Sequence, residues 1–337
     1  MDTSHFQPGD RVEGYTIEGV LGHGGMSDVY LARADKDGAH VTLKFPHDEI
    51  MGDPATYERF TREIKIGQLL HHPHIQRLIE VGTLDRVPYL VLEYVPGHSL
   101  RSHLGSCGGA STERALRFGT QIGHALAYAH DKGVIHRDMK PENVIVTPEE
   151  DAKVMDFGIA FVEGAKRVTW GNLSNQVGTP DYMAPEQVKG QRGDERTDIY
   201  ALGTIIYEMA AGRVPYEGDN ALSIMSQHVT TPAPPLSKFC LASPAFEETV
   251  MKALRRDPKG RWPTMDAFVS ALENPKSVDA GALKAEREAT ESETKQFAAG
   301  GFEGTGVSLP QLILIIMGVI IAILLLGVIA QLAHHAR

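Results

Sequence analysis

The stretch from His136 to Gly158 constrains this chain more than any other. It reads His136-Arg137-Asp138-Met139-Lys140-Pro141-Glu142-Asn143, then a short apolar run, then Asp156-Phe157-Gly158. Val144-Ile145-Val146 and Ala152-Lys153-Val154-Met155 flank Pro148-Glu149-Glu150-Asp151, which predicts two short strands joined by a turn. Such a hairpin brings Asn143 and Asp156 together at one end. Both carry oxygen donors suited to a hard cation such as Mg²⁺. Asp138, beside Lys140, offers a carboxylate able to accept a hydroxyl proton. Moving a phosphoryl group needs these groups, so the stretch reads as a metal–phosphate site.

The chain around it has 337 residues, enough for about two globular lobes with extensions. An apolar share of 42% lets most of it bury a core. The net charge of −10 argues against nucleic acid as the main partner, because a phosphate backbone calls for a basic face. Cys107 and Cys240 lie far apart, outside any metal-ligand spacing, and read as free thiols in a reducing compartment. Residues 1–10 form a polar tail without the basic start and apolar run of a secretory signal.

The other end differs. From Leu312 to Ala330 all 19 residues are Leu, Ile, Val, Met, Ala or Gly. At about 1.5 Å per residue they span about 28 Å as a helix, close to the roughly 30 Å of a bilayer's hydrocarbon. The pattern predicts a membrane-spanning helix over 309–332, after a juxtamembrane linker (274–308) and before a short extracytoplasmic tail (333–337). Within the linker, Ala282 to Gln296 has a helical composition.

Upstream, Val12 to Ile17 is expected to be a strand leading into the glycine-rich turn Leu21-Gly22-His23-Gly24-Gly25-Met26-Ser27-Asp28-Val29. Glycines let a backbone approach a phosphate and present its N–H groups. Val41-Thr42-Leu43-Lys44 is an apolar strand ending in lysine. Residues 54–72 read as a helix with Phe60, Ile64 and Leu70 on one stripe and Glu63 within it. Pro88 to Val95 is a strand-like run closed by Pro96-Gly97. Thr112 to Lys132 is a helical pattern whose His124 and His130 read as packing or surface residues. An aperiodic loop, Ile159 to Val177, ends in Gly178-Thr179-Pro180-Asp181-Tyr182-Met183-Ala184-Pro185-Glu186; loops this long are usually functional or disordered.

In this order and spacing, these motifs resemble the eukaryotic-type (Hanks-type) Ser/Thr protein kinases, and Gly-Gly-Met-Ser resembles their bacterial members. The resemblance covers residues 11–273. It implies an α+β, two-lobed protein kinase fold, with a small β-rich N-lobe (11–95) and a large helical C-lobe (96–273), plus the one C-terminal transmembrane helix. It also implies ATP as phosphoryl donor with Mg²⁺, or Mn²⁺ in its place. Residues Leu21 to Val29 and Lys44 would hold the phosphates, with Glu63 fixing Lys44. Backbone groups of Glu93 and Val95 would meet the adenine edge, with Leu92 limiting depth behind it. Asp138 and Lys140 would be catalytic, and Asn143 and Asp156 the metal ligands. Arg137 would attract a phosphate on the loop, for which Thr169, Ser174 and Thr179 are the candidates. Asp198 would brace the catalytic loop, and Arg261 would pair with Glu186.

Three positions depart from the family pattern. Ser27 replaces the third glycine, and Thr42 stands where alanine is usual over the adenine. Gly67 lies one turn past Glu63, where many relatives carry a bulkier apolar residue. Because a helix-interior glycine costs about 1 kcal/mol, that helix is expected to take part of its position from something else, such as a partner or substrate. The partners implied are proteins bearing Ser or Thr, the membrane and a transient homodimer that phosphorylates itself. The implied location is the cell membrane, single-pass, with the kinase domain cytoplasmic. Two other readings stay open. A catalytically silent ATP-binding membrane scaffold would normally have lost Lys44, Asp138 or Asp156. A small-molecule kinase would lack the Gly178–Glu186 platform.

Overall fold

Alternating burial drives the first part of the chain into a sheet: Tyr30, Ala32 and Ala34 face inward on one strand, and Val41, Leu43 and Phe45 on the next. The computed structural model describes residues 6–24, 27–47, 54–85, 87–107, 112–157, 161–162 and 180–300. Its strands β1 (Arg11–Val12), β2 (Tyr15–His23), β3 (Ser27–Ala34), β4 (His40–Pro46), β5 (Leu78–Leu84) and β6 (Val87–Glu93) form one antiparallel sheet in the order β1-β2-β3-β4-β6-β5. Inside it Phe45 stacks on Tyr89 and meets Tyr30 edge to face, and Phe6 packs against Tyr30 and Phe45. The strand expected over Val12–Ile17 is interrupted. Glu13 (φ 47°) and Gly14 (φ 89°) turn the chain, so that Arg11 pairs with Thr16 and Val12 with Tyr15. Two consecutive left-handed residues make a tight hairpin, which the apolar pattern alone conceals.

Helix α1 (Pro54–Leu69) follows β4. Its Phe60 packs on Leu78 and Leu90 beneath the sheet. Beyond Glu93 the chain becomes mainly helical: α2 (Leu100–Cys107), α3 (Thr112–Asp131), α4 (Pro185–Val188), α5 (Arg196–Ala211), α6 (Ala221–Thr230), α7 (Pro244–Ala253) and α8 (Met265–Glu273). The apolar stripe of α3, from Ala115 and Phe118 to Leu126 and Ala129, is buried. Helix α5 is buried on all sides from Thr197 to Ala210, as suits the central helix of a lobe. Side chains of Asn220, Ser243 and Thr264 cap α6, α7 and α8 by accepting from N–H groups three residues on.

The chain divides into a unit ending at Ala280 and a second from Gly281. Helix α9 (Ala280–Gly300), which belongs to the second unit from its second residue on, carries the ion pairs Lys284–Glu288 and Arg287–Glu291 at helical i,i+4 spacing. The helix expected over 309–332 lies outside the described residues. Among the described residues no helix is long and apolar enough to cross a membrane.

Candidate active site

The hairpin after the catalytic-type loop forms from β7 (Val144–Val146) and β8 (Ala152–Val154), paired antiparallel from Val144↔Val154 to Val146↔Ala152. The Met155 N–H donates to the Asn143 carbonyl at 2.9 Å, so Asn143 and Asp156 emerge side by side at the open end. Asn143 donates its amide N–H groups to the Asp138 carbonyl at 2.7 Å and to Asp138 Oδ2 at 3.3 Å. Lys140 Nζ donates to the same Oδ2 at 2.7 Å. One carboxylate thus gathers a lysine and an amide from within five residues.

Lys44 reaches this cluster from β4. Its Nζ lies 2.6 Å from Glu63 Oε1 on α1 and 3.2 Å from Asp156 Oδ1. Burial works against the ammonium charge, but the two carboxylates outweigh it and raise Lys44 above its ordinary range. Sheet, helix and hairpin therefore meet at one cation.

Arg137 (φ 67°) and Asp156 (φ 60°) sit in the left-handed region that side-chain-bearing residues seldom occupy. For Arg137 the restraint is visible. Asp198, at the start of α5 and fully buried, accepts from the N–H of His136 and of Arg137, each at 2.8 Å. Burial raises the Asp198 carboxyl, and the His130 hydrogen bond and charge, His136 and the Arg137 N–H together pull it below its usual range. Farther on, Arg261 binds Glu186 with two parallel bonds of 2.8 Å, a fork geometry that fixes orientation as well as charge. Thr197 adds a third bond to Glu186 at 2.9 Å.

In the glycine-rich turn, Gly22 pairs with Val29 and His23 with Asp28, and the Gly24 N–H donates to the Ser27 carbonyl at 2.9 Å. Asp28 is buried, with His23 Nδ1 at 2.7 Å and His47 Nε2 at 3.3 Å from one of its oxygens. At the end of β6, the Glu93 N–H donates to the Arg77 carbonyl at 2.8 Å, and the Glu93 carbonyl accepts from Gln76 Nε2 at 2.8 Å. Val95 is buried just beyond.

Residues 15–272 match the family model described as protein kinase domain. The chain belongs to the protein kinase family. It is 36% identical over 260 residues to a probable serine/threonine-protein kinase of Clostridium perfringens, covering 77% of this chain and 38% of that protein. It is 35% identical over 257 residues to the serine/threonine-protein kinase PknB of Mycolicibacterium smegmatis (74% and 41%). A probable serine/threonine-protein kinase of Streptomyces coelicolor is 38% identical over 257 residues (75% and 38%). The chain thus spans about two fifths of the length of these relatives.

Against the kinase pattern, the structure brings together Lys44, Glu63, Asp138, Lys140, Asn143 and Asp156. Gly25, Met26, Gly158, Thr169, Ser174 and Thr179 lie outside the described residues. Among the described residues no three His, Cys, Asp or Glu side chains gather as a metal site. Mg²⁺ does not need one, since it keeps waters and takes one or two carboxylates plus phosphate oxygens. The donor set fits: Asn143 spends its amide nitrogen on Asp138, which leaves its oxygen for a cation beside the half-exposed Asp156 carboxylate.

Several residues escaped the sequence reading. His130, a packing or surface residue by its sequence pattern, binds Asp198 through Nε2 at 2.8 Å, with its side chain only 5% exposed. Gln187 donates to the Arg137 carbonyl at 2.9 Å, joining α4 to the catalytic loop. Arg101 of α2 and Tyr182 both hydrogen-bond Glu208 of α5, and Arg101 also bonds Tyr182 and Glu142. The one signal available was that His130 lies near the end of the helix leading into His136. The vacancy left by Gly67 is filled from within the protein: a Cβ added there would stand 2.9 Å from Leu78 Cβ and Cδ2. Leu78 of β5 thus packs where the helix lacks a side chain.

Proposed function

We propose that the chain is an ATP-dependent serine/threonine protein kinase, anchored to a membrane through residues 309–332 with the kinase domain on the cytoplasmic side. The observation that carries the reading is the joint contact of Lys44 with Glu63 and Asp156, next to the Asp138–Lys140–Asn143 cluster.

Lys44, its charge held by two carboxylates, positions the triphosphate together with the N–H groups of the glycine-rich turn. Asp156 and Asn143 would hold Mg²⁺, or Mn²⁺, which supplies charge neutralisation to the phosphate oxygens when bound. Asp138 orients the acceptor hydroxyl and takes its proton. Lys140, 2.7 Å from Asp138, stabilises charge on the moving phosphoryl group. Backbone groups at Glu93 and Val95 meet the adenine edge. Arg137 orders the activation loop once a transient second copy has phosphorylated Thr169 or Ser174.

Wild-type, Asp138→Ala and Asp156→Ala proteins, given ATP labelled on the γ-phosphate and a generic acceptor protein, provide the test. Transfer by wild type alone is expected. No incorporation by wild type would favour a silent scaffold, and label on small molecules only would favour a small-molecule kinase.

A further inference from the structure

Glu93 is held on three sides. Its N–H and carbonyl are bonded to Arg77 and Gln76, and its carboxylate takes Lys153 Nζ at 2.6 Å. Gln76 acts elsewhere as well. Its main-chain N–H donates to the Val154 carbonyl at 2.9 Å, two residues ahead of Asp156. The same contact is reinforced by an Ile75–Val154 bridge and by the Val154 N–H, which donates to the His74 carbonyl at 2.9 Å. Gln76 therefore touches both the strand that ends at the purine edge and the strand that ends at the metal carboxylate. It lines one cleft with Glu63, Leu92 and Asp156.

A carbonyl oxygen has two lone pairs. With Gln76 on one, the peptide plane of Glu93 is fixed and the second remains for another donor. Lys153 cannot supply this control, because it grips the side chain and not the peptide. We propose that Gln76 is a positioning residue for the nucleotide: its amide aims the Glu93 carbonyl at the 6-amino group of the purine, and its main chain ties that aim to the strand bearing Asp156. This rests on the kinase reading above.

Gln76→Leu removes the side-chain donor and keeps the main-chain bond. The full chain is assayed with ATP and with inosine triphosphate, which carries a carbonyl in place of the 6-amino group. KM for ATP is expected to rise about fivefold, the worth of one hydrogen bond. By contrast, kcat should stay within about twofold and KM for inosine triphosphate should not move, because only ground-state purine binding is lost. An unchanged KM for ATP, an equal rise with both nucleotides, or a loss confined to kcat overturns the proposal. Should Gln76→Leu fail to fold, Gln76→Met, unbranched and of similar length, gives the same readouts. A wild type that transfers from neither nucleotide overturns the kinase reading itself.

Discussion

Asp198 holds Arg137 in a left-handed conformation by accepting its main-chain N–H at 2.8 Å, while its other oxygen takes the N–H of His136. A buried carboxylate with two acceptor oxygens suits this task. An amide in its place turns an N–H donor toward one of the two backbone donors. Asp198→Asn is therefore expected to lose about 3 kcal/mol of stability. It should also lose on the order of a hundredfold in kcat, since the catalytic loop would no longer be preorganised. Chemical denaturation and steady-state phosphorylation measure the two effects. A variant with the wild-type rate would show that Arg137 keeps its conformation without this brace.

The Lys44–Glu63 pair makes a different demand. Glu63→Gln keeps a hydrogen-bond partner for Nζ but removes one of the two negative charges that hold Lys44 in place. With a neutral residue of equal volume, the fold should shift by less than about 1 kcal/mol. The value of kcat/KM for ATP should fall about tenfold to a hundredfold as Lys44 turns toward Asp156 alone. Undiminished kcat/KM would mean that Asp156 suffices to orient the lysine.

Much of this site was readable before any fold was known, and the reason is chemical. Asp138, Asn143 and Asp156 carry oxygen donors at spacings that the hairpin makes meaningful, whereas Lys44 and Glu63 enter only through the resemblance to protein kinases. His130 was not readable in the same way. A histidine on an amphipathic helix has many ordinary places, and only tertiary packing sets it against a carboxylate 68 residues away. Gln76 and Gln187 were hidden for the same reason, as were the bonds among Arg101, Tyr182 and Glu208. The break at Glu13-Gly14 is concealed because Val12 on one side and Tyr15 and Ile17 on the other suit a single strand, although Gly14 is a turn signal.

His228 gives a pH dependence. It is buried beneath the Pro180–Asp181 backbone, with Nδ1 2.7 Å from the Tyr200 hydroxyl. Burial pushes its imidazole down to about 4, against weaker upward pulls from the backbone at Asp181 and Pro180. The folded protein thus keeps this histidine neutral, while the unfolded chain takes up a proton near pH 6.5. Its contribution is complete above about pH 6.5 and disappears as the pH falls toward 4, a change on the order of 3 kcal/mol. His228→Gln cannot titrate. Its stability deficit relative to wild type should therefore shrink, or reverse, between pH 6.5 and 4 in denaturation curves. A constant difference across that window would show that His228 is charged in the fold.

Gly67 tests how α1 is seated. Placing a methyl there would gain about 1 kcal/mol of helix propensity in isolation. Here it would press a new Cβ to 2.9 Å from Leu78 Cβ, an atom fixed to the β5 backbone that cannot rotate away. The helix must then lift from the sheet, and Glu63, one turn earlier on α1, would move with it. Lys44 would lose its 2.6 Å partner. Gly67→Ala is accordingly expected to destabilise by about 1–3 kcal/mol, the usual range for overpacking, and to lower kcat/KM along with it. Gly67→Ala combined with Leu78→Ala vacates the contact. If the seating of Glu63 is what Gly67 protects, the double variant should recover part of the kcat/KM lost in the single one, even though its core is smaller. Activity that follows stability alone, with no such recovery, would detach Gly67 from the Lys44–Glu63 geometry.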